Sequence, residues 1–442
     1  MKIETALESW QAQAAQLPIL KDCPSYFKNY QQEALESWKD LAWPAIERVD
    51  YQAWPLCQEV LAGDAVSADE DEALSEAESA HQINIIHLGN QTRLSPLSDE
   101  LKAAGVIVAD LFEAMIAYPD LVEQHLFSIV PALADKITAY QTAYLNGGLF
   151  IYIPDHCKLP ISIDCLLIQD SRLEQAFNKR VLLVAGVNSQ IEYLERLKTK
   201  GQLANSATIT VEVIAQAGAQ VKYCALDGFA PQTTTYIKRY ASLAADATVN
   251  WAIGALNAGH TILDSDTQLI GQGAHSQLAI VAIANEQQVQ AIDAKIVNQG
   301  HHTIGNILQH GVVLDQATLT FNGIGLIEKQ AKHADAQQES RLIMLSDEAR
   351  GDANPILLIE EFEVTAGHAA SVGQLDQQQL YYLMSRGLSR KEAEYLVVRG
   401  FLGSVIREMP TAEVREEVVA AIDQRLSSLP GAQSETEEDV AQ

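Results

Sequence analysis

Positive charge is scarce in this chain. Thirty lysines and arginines stand against 58 aspartates and glutamates, a formal net charge of −28 with a pI near 4.7. Phosphate backbones and anionic lipid surfaces repel such a chain, so nucleic acid and membranes are poor partners, and proteins or cations are better ones. Cysteine is scarce too. The five (Cys23, Cys57, Cys157, Cys165, Cys224) are widely spread and form no C-x-x-C pair, which excludes a small disulfide framework and argues against a fixed thiolate metal site. Their odd number fits a reducing compartment, and Cys157 and Cys165, in strand-like sequence, read as small apolar residues. No apolar run approaches the ~18 residues needed to span a bilayer, and Met1-Lys-Ile-Glu-Thr5 leads into an amphipathic pattern without the apolar core of a signal peptide. The expectation is a cytoplasmic protein. Phosphate loop, G-x-G-x-x-G after a strand, G-x-S-x-G and H-E-x-x-H are all missing, so an ATPase or dehydrogenase would lack its essential loop.

What is present falls into three parts, in a chain of 442 residues that exceeds the size of one compact core. Residues 1–148 read as mostly helical. Pro24 opens a helix bearing Tyr26, Phe27, Tyr30, Ala34, Leu35 and Trp38, which Pro44 ends, and residues 119–145 carry apolar positions at helical spacing until Asn146-Gly147-Gly148. Acidic residues crowd 64–78 and the tail 431–442, read as a solvated loop and a disordered end.

From Leu149 the apolar period changes from 3.6 to 2. Strand follows strand with no helix between, and Ala219, Ala247 and Ala274 mark corners about 28 residues apart. Between Asn205 and Gly325 charges are few, and Asn, Gln and Thr take their place, as in polar ladders on stacked strands. Residues 149–360 are therefore expected to form a right-handed β-helix, a solenoid flanked by helical domains. A two-sheet sandwich is the alternative, disfavoured because hairpin turn signals are missing. Residues 361–430 are helical again: Asp376 caps one helix, Ser389-Arg-Lys-Glu392 is a capping box for the next, and a last one runs from Thr411.

Seven of the eleven histidines fall at 260, 275, 301, 302, 310, 333 and 368. Stacking in a solenoid could gather them into a metal site, although occupancy of polar ladder positions is the simpler account for each except His368. His301-His302 reads as a corner. Gly367, Ala369 and Ala370 leave the His368 imidazole accessible and without a local partner. A metal-dependent or carbohydrate-acting β-helix enzyme remains a rival on fold analogy alone; Asp264 and Asp266 are a close acidic pair in the strand region.

Asn354-Pro-Ile-Leu-Leu-Ile359, Val364-Thr-Ala-Gly-His-Ala-Ala-Ser-Val-Gly-Gln-Leu-Asp376, Leu380-Tyr-Tyr-Leu-Met-Ser-Arg-Gly387 and the stretch from Glu392 to Phe401 resemble the SufB/SufD family of iron–sulfur cluster assembly proteins, its SufD branch in particular. Gly147 to Pro154, Pro160-Ile161, Tyr30 to Trp38 and Trp43-Pro44 extend the likeness over most of the chain. The resemblance implies a non-enzymatic scaffold subunit joined to SufB and to two copies of the ATPase SufC. It maps the SufD histidine onto His368, as an interfacial ligand for iron or a nascent cluster that is bound transiently, with no tightly bound cofactor. It places Tyr381, Arg386, Glu392 and Phe401 on the SufC side. Many relatives carry cysteine two places before the histidine; here that position is Ala366, so His368 is a single ligand that needs others from SufB. A SufB-like subunit holding the cluster itself is the alternative within the family, disfavoured by the absence of cysteine after Cys224. Exposed strand edges make a homodimer plausible when SufB is missing.

Overall fold

The computed structural model describes residues 22–57, 82–409 and 411–427; the acidic stretches at 64–78 and 431–442 lie outside these residues. The strand region winds as a β-solenoid between two facing sheets, one of ten strands and one of nine. The first sheet runs from Gln82–Leu88 through Ser162–Ser171 and Gln190–Gly201 to Asp335–Met344 and Thr365–Gln374; the second runs from Gly148–Ile153 through Phe177–Ala185 to Thr318–Ile327 and Arg350–Ile359. Pairing is parallel throughout except at the starting end, where Gln91–Leu94 and Ile107–Asp110 pair antiparallel. The lumen between the sheets is filled by Ile, Leu, Val, Tyr223, Trp251 and Phe321.

The corners explain the repeat. Thr248 pairs with Gln220 below it and His275 above it, and Ala219, Ala247 and Ala274 are all fully buried just before those strands. Each turn there holds one residue at positive φ: Asn188, Gly218, Asp246, Gly273, His302 and His333, between 53° and 70°. Glycine, Asn and Asp enter that region at low cost. His302 takes it because its N–H donates to Lys332 O in the next coil, as that of His333 does to Glu363 O, and the two rings stack at 4.8 Å.

Three sequence expectations need correction. The helix expected over 119–145 is two, Pro119–His125 and Lys136–Ala143, broken where Phe127 has φ 63° and Pro131 has no N–H to donate. Solenoid pairing begins before residue 149, because Gln82–Leu88 pairs with Ser162–Ser171, and it continues past 360, because Thr365–Gln374 pairs with Asp335–Met344. The stretch around His368 is therefore a strand of the solenoid, and the helices start at Gln377–Ser385.

Both flanks of the solenoid are covered. The helices Gln377–Ser385, Arg390–Ile406 and Ala412–Ser427 lie on the outer face of the first sheet, where Val398, Leu402, Val405, Val414 and Val418 meet Leu226, Ala252, Val281 and Val312. Burying the apolar outer residues of that sheet draws them to its side. The amino-terminal segment covers the second sheet, with Phe27, Phe112 and Met115 over Leu182 and Val184, and Tyr51 and Leu56 over Tyr236 and Ile262.

The few charges of the strand region are mostly structural. Glu212 accepts from the N–H groups of Ile129 and Val130 and from Arg180 Nε at 2.8 Å, while Arg180 donates to Val130 O; both side chains of the pair are fully buried. In the lumen, Arg239 bridges Asp227 and Glu195. Breaking a buried pair strands its partner's charge. Glu212→Ala is expected to destabilise the chain by about 3–5 kcal/mol, read as a lowered urea midpoint, and Glu212→Ala with Arg180→Ala together should cost less than the sum of the two.

Asp264, Asp293, Asn322 and Asn354 form one rung-by-rung ladder on the outer face of the second sheet. Asp293 accepts from Asn322 Nδ2 at 2.6 Å. Burial, with Asp264 and Glu47 nearby, pushes its carboxyl up from 3.8 to about 7. The unfolded chain therefore releases this proton at lower pH than the folded one, and Asp293 weakens the fold increasingly as pH rises between those values. Asp293→Asn keeps the hydrogen bond and removes the charge. We expect it to stabilise the chain by about 2–4 kcal/mol at pH 8 and by little at pH 4, measured by denaturant titration at both.

Candidate functional site

Among the described residues the last coil has no successor. Arg350–Ile359 and Thr365–Gln374 close their sheets, each paired along one edge, so the backbone groups of the other edge face outward. A row of such groups is a template for another strand. Pro355 sits in the first of these strands, a residue sheets tolerate at an edge because it donates no ladder hydrogen bond. Around the opening, Leu358, Ile359 and Val372 are about half exposed and Phe362 is 99% exposed, an apolar rim of the kind that marks an interaction surface.

His368 lies on this coil. Its register partner is Gln338, as Val372 pairs with Leu342. Leu342 belongs to the lumenal core, and alternate residues of a strand share a face; His368 therefore lies on the lumen side of the final strand, where no further coil covers it. It is exposed, with the small Ala366 and Ala370 at the neighbouring positions of that face. Among the described residues its ring takes part in no hydrogen bond or ion pair.

Other histidines have partners or packing roles. His87 is buried between Thr92 and Gly89 O, and burial holds its imidazole well below 6.5. His260 stacks on Trp54 at 5.0 Å and accepts from Val289 N–H. His310 lies between Glu339 Oε1 (2.8 Å) and Phe401 O (3.0 Å), fastening the first sheet to the helix Arg390–Ile406. Among the described residues no group of three or more His, Cys, Asp or Glu is arranged to hold a metal. The cysteines are free, and burial pushes the thiols of Cys23, Cys57 and Cys224 up to about 12, away from the thiolate form that binds metals.

The helical residues named from the sequence divide into two kinds. Tyr381 is 76% exposed, beside the exposed Tyr382, Met384 and Leu396; Arg386 stacks over the Tyr382 ring at 5.1 Å and donates to its hydroxyl. These present an aromatic and cationic surface. Glu392 instead spends its carboxylate on the capping box, accepting from Ser389 N–H at 2.7 Å, and Phe401 packs inward, stacked on His310 at 4.7 Å. One feature of the site escaped sequence reading: Gln338 beside His368, which strand register alone reveals.

Comparison with known proteins agrees with this architecture. The family model described as SUF system FeS cluster assembly, SufBD core domain, matches residues 167–401, and that of the SufBD protein N-terminal region matches 83–164. The iron–sulfur cluster assembly protein SufD of Bacillus subtilis is 37% identical over 91% of this chain and 94% of its own length. SufBD family proteins of Staphylococcus saprophyticus and Staphylococcus aureus are 27% and 26% identical over 71% of this chain and 68% of theirs. With matches that run from the first coil to the helices on its flank, the chain belongs to the SufB/SufD family of SUF-system iron–sulfur cluster assembly proteins and is of the SufD type.

Proposed function

We propose that this chain is a non-enzymatic scaffold subunit of the SUF system that docks through its open solenoid end onto a SufB-type subunit and presents His368 at that junction. The observation that carries the reading is the final coil: two unpaired strand edges, an apolar rim and an exposed imidazole without a partner lie together on it. The open end of a second solenoid can extend the ladders across the junction, satisfying the orphan backbone groups and burying the rim. Without that partner, a second copy of this chain meets the same requirement.

A lone neutral imidazole is a borderline ligand for ferrous iron. It suits iron or a cluster handled as cargo, with the remaining ligands supplied across the junction, since Ala366 offers none. The reducing cytoplasm is the compartment that fits free cysteines and ferrous chemistry. The exposed Tyr381, Tyr382, Arg386 and Leu396 form a second surface, for the SufC-type ATPase; Tyr and Arg are the residues that most often anchor interfaces. Phe401 and Glu392 support this surface from behind.

Co-expression with SufB-type and SufC-type subunits is expected to yield a stable complex, and recovery of the free chain alone would count against the docking reading. His368→Ala should leave that complex intact while lowering its iron and sulfide content after anaerobic reconstitution; an unchanged content removes the ligand role. Tyr381→Ala is expected to weaken capture of the ATPase by about 1–3 kcal/mol, roughly ten- to a hundredfold in Kd, with association to the SufB-type subunit preserved, as measured by pull-down and titration.

A further inference from the structure

Polar side chains line the lumen beside its Ile, Leu and Val in several coils, as Arg239 with Asp227 and Glu195 do, and next to the open end Gln309, Gln338 and Ser340 bring amides and a hydroxyl into it. Facing glycines make the room. A methyl group at Gly325 would stand 2.2 Å from Gln338 Nε2, and one at Gly323 would stand 3.3 Å from both Gln309 Oε1 and Ser340 Oγ.

Gln338 is 4% exposed. Its Nε2 donates to Ile356 O, on the last strand of the second sheet, at 3.1 Å, which sets the amide's orientation and turns Oε1 towards Gly323, where a methyl group would stand 3.5 Å from it. Oε1 is buried and accepts no hydrogen bond. A buried carbonyl without a donor carries an uncompensated desolvation cost. The Ser340 hydroxyl is already given to Gln309 Oε1 at 2.8 Å. One rung along the ladder, on the same face, stands His368, about 4.8 Å away at the backbone, with ring N–H and lone pair both unused. An unpaired acceptor and an unpaired donor thus occupy consecutive rungs.

We propose that Gln338 is the positioning residue of His368: the exposed ring turns in over the mouth of the lumen, Gln338 Oε1 accepts one ring N–H and fixes the tautomer, and the lone pair of the other nitrogen is left directed out of the open end. The consequence for metal binding rests on the reading of His368 as a ligand given above. Metal-bound histidines generally donate their second N–H to a carbonyl or carboxylate, which orients the ring and raises its basicity. Where a chain supplies a single imidazole, that orientation is its main means of tuning the site. Gln309 Nε2 is also unpartnered and is the competing donor.

The test uses the full metal-free chain with 15N-labelled histidine, the His368 signals being those lost in His368→Ala. One tautomer should dominate in the wild type. Gln338→Met should relax it to the mixture of free imidazole, and Gln338→Glu, which keeps the acceptor and adds charge, should hold the wild-type tautomer. Cobalt(II) titration of the same samples should show binding at His368 weakened about 10–100-fold by Gln338→Met and strengthened by Gln338→Glu. A free-imidazole mixture in the wild type, or a tautomer indifferent to Gln338→Met, overturns the assignment and leaves Gln309 as the donor to Gln338. Should Gln338→Met not fold, Gln338→Glu decides: loss of the wild-type tautomer overturns the proposal, and retention with tighter cobalt binding supports it. Cobalt that leaves the His368 signals unmoved removes the ligand reading of His368 without touching the tautomer result.

Discussion

Every coil of this protein relies on the next to satisfy its backbone. In a parallel ladder the N–H and C=O groups of one strand pair with strands of the coils before and after it, and the chain supplies such neighbours from Gln82–Leu88 to Arg350–Ile359 and Thr365–Gln374. The start is terminated by antiparallel strands at Gln91–Leu94 and Ile107–Asp110. Among the described residues the far end has no such cap. The flanks are already occupied, by the carboxy-terminal helices on one sheet and the amino-terminal segment on the other, so that end is where the pairing requirement stays open.

The same constraint accounts for the polar residues inside. Chains that stack in register place like residues over like, so polar groups accumulate in rows. Where a row is satisfied, as at Arg239 with Asp227 and Glu195, it crosslinks the sheets. Where it is buried with a like charge, as at Asp293 above Asp264, one carboxyl holds its proton to unusually high pH. Near the open end the row is left with an orphan, Gln338 Oε1. Gln338 and His368 belong to one ladder, so the site is continuous with the solenoid's own polar interior.

The composition suits this role. With net charge −28 the surface resists unspecific association, while the apolar rim around Phe362 and Val372 and the aromatic surface around Tyr381 stay exposed. The proposed function rests on these two places. The rest of the chain is organised to hold them apart on a rigid support, with His310 gripping Phe401 as one link between the helices and the sheet.

The sequence by itself determined the solenoid: alternation from Leu149, corner alanines at 219, 247 and 274, and glycine or a short polar residue at most of the strained corners are local signals, and local signals specify a repeating coil. The helix caps at Asp376 and Ser389 were legible for the same reason, and the segment around His368 carries the family's pattern. Only the tertiary structure decided that this segment is a strand, that the helices cover a flank and leave the end open, that Phe401 faces inward, and that Gln338 lies beneath His368. Those facts depend on pairing between residues about 30 positions apart and on which apolar face offers the larger burial. No local pattern encodes either.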